Sequence, residues 1–292
     1  MIFFLTSHPL WLSGTMVIGL GTLLSMLGPA LVRRYVDVKR LTANNEVAGF
    51  KFATIGVLYA VLLAFAIIVV WQKFSDAEVD VVHEAGAAEN LYRLSRGLND
   101  KTGVAVRDGV ANYLKVTMDN DWPAMERGTA VAGGAAKQAL DVVYAALLSP
   151  DAQSNGTVVA EMLRQLELIT QARRARLVAS QGAVPDVIWL VLLGGAAVTI
   201  GFTFFFGAEI LRAQVVMTAL LAMVIFSELL IIIAIDRPFT GTVKVEPNAL
   251  AAVLADVQSR TGSSPLRIAP ESEIAGGDPP HRSLPFVDEW RV

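Results

Sequence analysis

The sequence predicts an all-α membrane protein: four transmembrane helices, with an antiparallel helical bundle inserted between the second and the third. Three observations carry that expectation. Hydrophobic residues make up 54% of the 292 and charged ones only 17%, a balance that points to the membrane. Four stretches hold about 20 mostly apolar residues each, enough to cross a hydrocarbon core of roughly 30 Å. Residues 74–185, between the second and third of these, show helical spacing of apolar positions without continuous apolarity.

The first span is expected over residues 10–32, closed by Arg33 and Arg34 at the membrane boundary. The opening MIFFLTSHPLWL lacks the positively charged start of a secretory signal, so this run is expected to be retained as an anchor. The second span, residues 52–71, carries no charge and ends on Trp71, an interfacial residue type. The third covers residues 187–208 and the fourth 213–235, interrupted only by Ser227 and Glu228. The intervening EILR leaves room for a tight helical hairpin only, with Glu209 and Arg212 as boundary residues.

The insertion reads as four helices. Val82, Ala85, Leu91 and Leu94 recur at helical steps, continuing the second span without a breaker until the turn NDKTG. Val106, Val110, Tyr113 and Leu114 mark the next helix. DNDWPAME then reads as a fresh start, with Asp121 as N-cap and Pro123 in the first turn. SPDAQSNG is expected to be a loop, and the last helix runs from Thr157 to Gly182. Short turns between amphipathic helices imply antiparallel neighbours.

Beyond the fourth span, Pro238 and Gly241 turn the chain out of the helix. Residues 236–259 are expected to hold a short strand, TVKV, and a helix. Residues 260–292, rich in Pro, Gly, Ser and charge, read as a disordered tail.

Charge decides orientation. The loop after the first span holds Arg33, Arg34, Lys39, Arg40 and Lys51, whereas the N-terminal tail has no Lys or Arg. The positive-inside rule therefore places residues 33–51 in the cytoplasm, with the insertion and both termini on the outer side. Arg173, Arg174 and Arg176, shortly before the third span, count the other way.

Function classes narrow by elimination. The absence of cysteine excludes disulfides, thiolate metal sites and cysteine nucleophiles. A net charge of −3 with dispersed basic residues excludes a nucleic-acid footprint. Nothing points to an enzyme or to a cofactor: the three histidines, at 8, 83 and 281, are scattered, and no phosphate loop or nucleophile elbow occurs. Asn155-Gly156-Thr157 matches a glycosylation sequon, a pattern short enough to arise by chance.

Two constellations remain. Glu228 lies about 6 Å from the midpoint of the fourth span, where an ionised side chain costs on the order of 3 kcal/mol to insert. It is either a carboxylate on an ion or proton path or a hydrogen-bonded glutamate joining helices, with Ser227, Thr15 or Tyr59 as partner. Arg212, sixteen residues earlier on the same helix, is about 24 Å away and cannot neutralise it. The second constellation is Asp76, Asp80 and Glu84, at i, i+4 and i+8, with His83 beside them. It reads as a solvated acidic face or as weak ligands for a divalent cation. Asp236 and Arg237 read as a boundary pair, and Gly21-xxx-Ser25 and Ala197-xxx-Gly201 as close-packing positions within one chain.

Four stretches, NNEVAGFKFATIGVLYAVLLAFAIIVVWQKFSDAE, VVHEAGAAENLYRL, DWPAM and DRPFTGTVKVEPNAL, together resemble the bacterial bestrophin-like domain family of membrane proteins. The resemblance covers residues 40–255 and assigns a family whose own activity is undefined. It implies a bacterial inner-membrane location and a distant similarity to bestrophins, oligomeric anion channels with four membrane helices per subunit and a helical soluble part. Bestrophins keep that part in the cytoplasm, unlike the charge-based expectation above, and no stretch here matches their apolar neck. The expected partners are the lipid bilayer and further copies of the chain. The expected function is ion conduction by an oligomer; the alternative is a membrane-anchored scaffold or sensor whose helices bind a partner.

Overall fold

A computed structural model describes residues 10–43, 45–131 and 134–262. Among these residues every regular element is helical. Four helices are long and apolar enough to cross a membrane. The first, α1, joins Leu10–Gly14, a π-helical stretch Thr15–Leu20 and Gly21–Tyr35 without a break. A short helix, α2 (Val38–Thr42), follows, capped by the Asp37 carboxylate, which accepts from the Lys39 N–H at 3.1 Å.

The 50-residue helix α3 (Asn45–Leu94) carries the second span and runs on well past it. At 1.5 Å per residue it is about 75 Å long, so roughly 35 Å projects beyond Trp71. Asn99 caps α4 (Asp100–Val116), its side-chain oxygen accepting from the Thr102 N–H at 2.8 Å. The chain then passes through a π-helical turn, Thr117–Asp121, into α5 (Trp122–Glu126). After α6 (Gly134–Leu147) come α7 (Gly156–Ala179), α8 (Asp186–Thr203), α9 (Leu211–Ile235) and α10 (Asn248–Gly262).

Several local expectations are corrected. Asp121 does precede α5, with Pro123 in its first turn, but it makes no capping bond, because its backbone is already helical (φ −67°, ψ −45°) and continues the π-helical turn. Its carboxylate is drawn inward by Arg173, and the break falls at Gly128, whose φ of +61° ends the helix. SPDAQSNG contains a 3-10 turn, Pro150–Asn155. TVKV is no strand: among the described residues it pairs into no sheet, and it is tied back by the Val245 N–H, which donates to the Pro238 carbonyl at 2.7 Å. The tail expected from residue 260 lies outside the described residues after Gly262, as do His8 and His281.

The third span ends at Thr203 rather than at 208, and an irregular segment, 204–210, replaces the tight hairpin. Packing explains the stop. Gly207 lies so close to α2 that a Cβ there would sit 2.4 Å from the Thr42 nitrogen. The Asn45 side chain donates to the Gly207 carbonyl at 2.6 Å and accepts from its N–H at 2.9 Å.

Helix pairing is dominated by α3 against α7, α4 against α6, and α1 against α9. The last contact depends on missing side chains. A Cβ on Gly21 would meet the Phe226 ring at 2.6 Å, and one on Gly28 the Phe204 ring at 2.3 Å. The small residues of α1 thus admit aromatic rings from the same chain. Gly195 of α8 does the same for Tyr59 of α3, at 2.5 Å.

Candidate functional site

Glu228 sits half-buried in α9. Each proposed partner is committed elsewhere. Ser227 donates to the Met223 carbonyl at 2.7 Å, Thr15 to the Trp11 carbonyl at 2.6 Å, and the buried Tyr59 hydroxyl to the Leu192 carbonyl at 2.9 Å. Among the described residues no hydrogen bond or ion pair reaches the Glu228 carboxylate. Tyr59 of α3 lies within its electrostatic reach.

A polar knot occupies the opposite end of the spans. Arg33 donates to the Gln214 side chain at 3.0 Å and to the Ala208 carbonyl. Gln214 in turn donates to the Phe206 carbonyl at 2.6 Å. Carbonyls past the end of α8 are satisfied this way. Arg33 is thus a structural pin, while Arg34 and Trp71 are exposed.

The acidic face divides in two. Asp76 and His83 are exposed and Asp80 is half-buried, all on the outer surface of α3. Glu84 points the other way and is fully buried. Its carboxylate accepts two hydrogen bonds from Arg176 of α7, at 2.7 and 3.0 Å, and one from the Tyr113 hydroxyl of α4. Glu84 is therefore withdrawn from any shared metal site with its former neighbours. Among the described residues no three His, Asp or Glu side chains lie close enough to hold a metal.

Around that pair stands a second layer. Asp121 accepts from Arg173 at 3.0 Å and lies 3.8 Å from Arg176. Arg176 also donates to the Met125 sulfur at 3.4 Å and lies over the Trp122 ring, 5.5 Å from its centroid. The other side of the stack is Phe239, whose ring meets Trp122 edge-on at 5.5 Å and 90°. Burial and the adjacent Glu84 charge push the Tyr113 hydroxyl well above its ordinary pKa. Burial alone would lower the Arg176 pKa, but the charge of Glu84 and its hydrogen bonds raise it above the ordinary arginine value. Arg176 stays charged at every working pH.

Asp236 does more than mark the end of α9. Its carboxylate accepts from the Ala183 and Val184 N–H groups at 3.1 and 2.8 Å, and its carbonyl from Ala183 at 3.0 Å. It clamps the entry of α8 to the exit of α9. Burial raises its pKa even against these donors and Arg237.

The stretches read as family signatures converge here. Glu84 comes from VVHEAGAAENLYRL, Asp121, Trp122 and Met125 from DWPAM, and Asp236 and Phe239 from DRPFTG. Sequence reasoning gave no special role to Arg176, Tyr113 or Phe239. The model of the bestrophin-like domain matches residues 19–250. The chain belongs to the bestrophin-like domain family. Solved structures agree at the level of fold. A variant of a bacterial bestrophin homologue from Klebsiella pneumoniae superposes with a TM-score of 0.65 at 14% identity, over 84% of this chain and 99% of that one. Another structure of a Klebsiella pneumoniae bestrophin homologue gives 0.62 at 13%, over 86% and 99%. A structure described as a membrane protein gives 0.65 at 14%, over 86% and 99%. Comparison with curated protein sequences gives no match. The bestrophin-like chain is a multi-pass membrane protein.

Proposed function

We propose that this bestrophin-like protein is an oligomer that conducts an ion across the bacterial inner membrane, with Glu228 on the path. The observation that carries the reading is a carboxylate inside a membrane span with no hydrogen bond or ion pair from any described residue, within electrostatic reach of Tyr59. A glutamate serving only to join helices would hold such a bond, because an unsatisfied polar group in hydrocarbon is costly. The family and the fold of the bacterial bestrophin homologues support the same reading. It assigns no catalytic step to the chain. Glu228→Gln is expected to change ion flux in reconstituted liposomes by tenfold or more while leaving Tm in place. Equal flux in the two proteins would remove Glu228 from the path.

In this reading the outer half of α3, with α4, α6 and α7, forms an antiparallel bundle between the second and third spans. Arg34, Trp71 and Arg237 lie at the membrane boundaries. Residues 33–51 face the cytoplasm, and the bundle the outer side. Of the arginines that count against this orientation, Arg173 and Arg176 are neutralised by Asp121 and Glu84, whereas Arg34, Lys39, Arg40 and Lys51 are exposed. The chain has no cysteine, so Lys39→Cys and Lys137→Cys give unambiguous labels. An impermeant maleimide is expected to reach position 137 in intact cells and not position 39. The reverse pattern would invert the topology.

A further inference from the structure

A cleft of about 610 Å³ opens between α3 and α7 where the spans leave the membrane. Gly182, Ala183 and Pro238, at the entry of α8 and the exit of α9, set its depth. Its walls carry charges of both signs: Lys73 and Arg174 against Asp76 and Asp80. Lys73, Asp76 and Asp80, at i, i+3 and i+7, share one face of α3. None of the four enters a salt bridge among the described residues. Opposite charges that line one cavity without closing into salt bridges suit a ligand that carries both.

Height limits what that ligand is. Lys73 lies two residues past Trp71, about 3 Å above the apolar section, and Asp76 about 7.5 Å above it. The headgroup layer on each side of a bilayer is about 5–8 Å deep. A cation near its base and a carboxylate near its top, about 4.5 Å higher, match a phosphate followed two carbons later by an ammonium. His83 is on the wall, but no Phe, Tyr or Trp lines the cleft, so a quaternary ammonium would find no cation-binding ring face, whereas a primary ammonium donates hydrogen bonds to carboxylates. A purely anionic headgroup would meet Asp76 and Asp80.

We propose that the cleft binds the phosphoethanolamine headgroup of a membrane lipid, its phosphate at Lys73 and its ammonium at Asp76, with Asp80 a turn higher in the same cleft. This site is distinct from the path assigned to Glu228 and stands whether or not the protein conducts.

The test is competition between lipids on the full chain. Protein in detergent is equilibrated with mixed phosphatidylethanolamine, phosphatidylcholine and phosphatidylglycerol, and the retained lipid is identified by native mass spectrometry. Phosphatidylethanolamine is expected to be enriched over both others. Asp76→Asn with Asp80→Asn is expected to lower that enrichment about tenfold, the loss of one charge-assisted hydrogen bond. Lys73→Gln is expected to weaken retention of all three phospholipids. The substituted side chains are exposed or half-buried, and an unchanged Tm verifies that the variants fold. Equal retention of the three lipids, or enrichment unaffected by the double substitution, would overturn the proposal. Free phosphoethanolamine displacing the lipid at equal concentration would give the cleft to a soluble zwitterion and overturn the lipid assignment.

Discussion

Glu84→Ala is expected to destabilise the protein by about 3–5 kcal/mol, the cost of leaving a buried charge without its partner. Arg176 is completely buried and donates two of its hydrogen bonds to Glu84. Removing the carboxylate also frees the buried Tyr113 hydroxyl. Asp121, at 3.8 Å from Arg176, is already engaged by Arg173 and compensates only in part. Replacing both partners tests the cause. Glu84→Leu with Arg176→Met removes two charges that are expensive to desolvate and keeps the volume filled, so most of the loss is expected to return. Unfolding in detergent reads both proteins. A double variant no more stable than Glu84→Ala would show that packing, and not the unpaired charge, sets the cost.

Phe239→Ala is expected to cost about 3–5 kcal/mol as a large-to-small change in a closed core, with an effect that is local. Phe239 is fully buried and stacks edge-on against Trp122, which itself lies beneath Arg176. It is the plug by which the chain leaving α9 docks on the insertion. The segment after it is held by the Val245 bond to Pro238 and by the Lys244–Glu126 salt bridge at 2.5 Å. That salt bridge is largely solvated and weak alone. Loss of the plug should therefore release the segment and speed tryptic cleavage after Lys244, while α3 and α7 remain protected. An unchanged cleavage rate would mean that the segment is held without Phe239.

The spans were legible because a run of 20 apolar residues has few alternatives. The end of the third was not. Hydropathy continues through Phe204, Phe205 and Phe206, whereas the helix stops where Gly207 meets α2 and where Asn45 and Gln214 offer side-chain partners. Those partners are far away in sequence. Asp121 was misread for a related reason: an aspartate ahead of Trp-Pro has the local form of a cap, but its partner Arg173 lies 52 residues on.

Glu84 had two local readings. With Asp76 and Asp80 it continues an acidic face. It also falls in the register of Ala77, Val81, Ala88 and Leu91, all buried. Met162, Leu166, Ile169, Arg173 and Arg176 repeat that register on α7. A glutamate in one apolar stripe and arginines in another, each at heptad spacing, were the available signal for the buried pair. Counting those arginines only toward topology concealed it. Glu228 lacked any such signal, since whether a span carboxylate has a partner depends on which neighbouring side chains their own helices already satisfy.

The proposed conduction is tested most directly on one purified preparation, by measuring its oligomeric mass in detergent and its ion flux after reconstitution into liposomes. The account predicts an oligomer whose liposomes pass ions, and a slower or altered flux with Glu228→Gln. A monomer whose liposomes stay sealed would contradict it and leave the membrane-anchored scaffold as the reading of this chain.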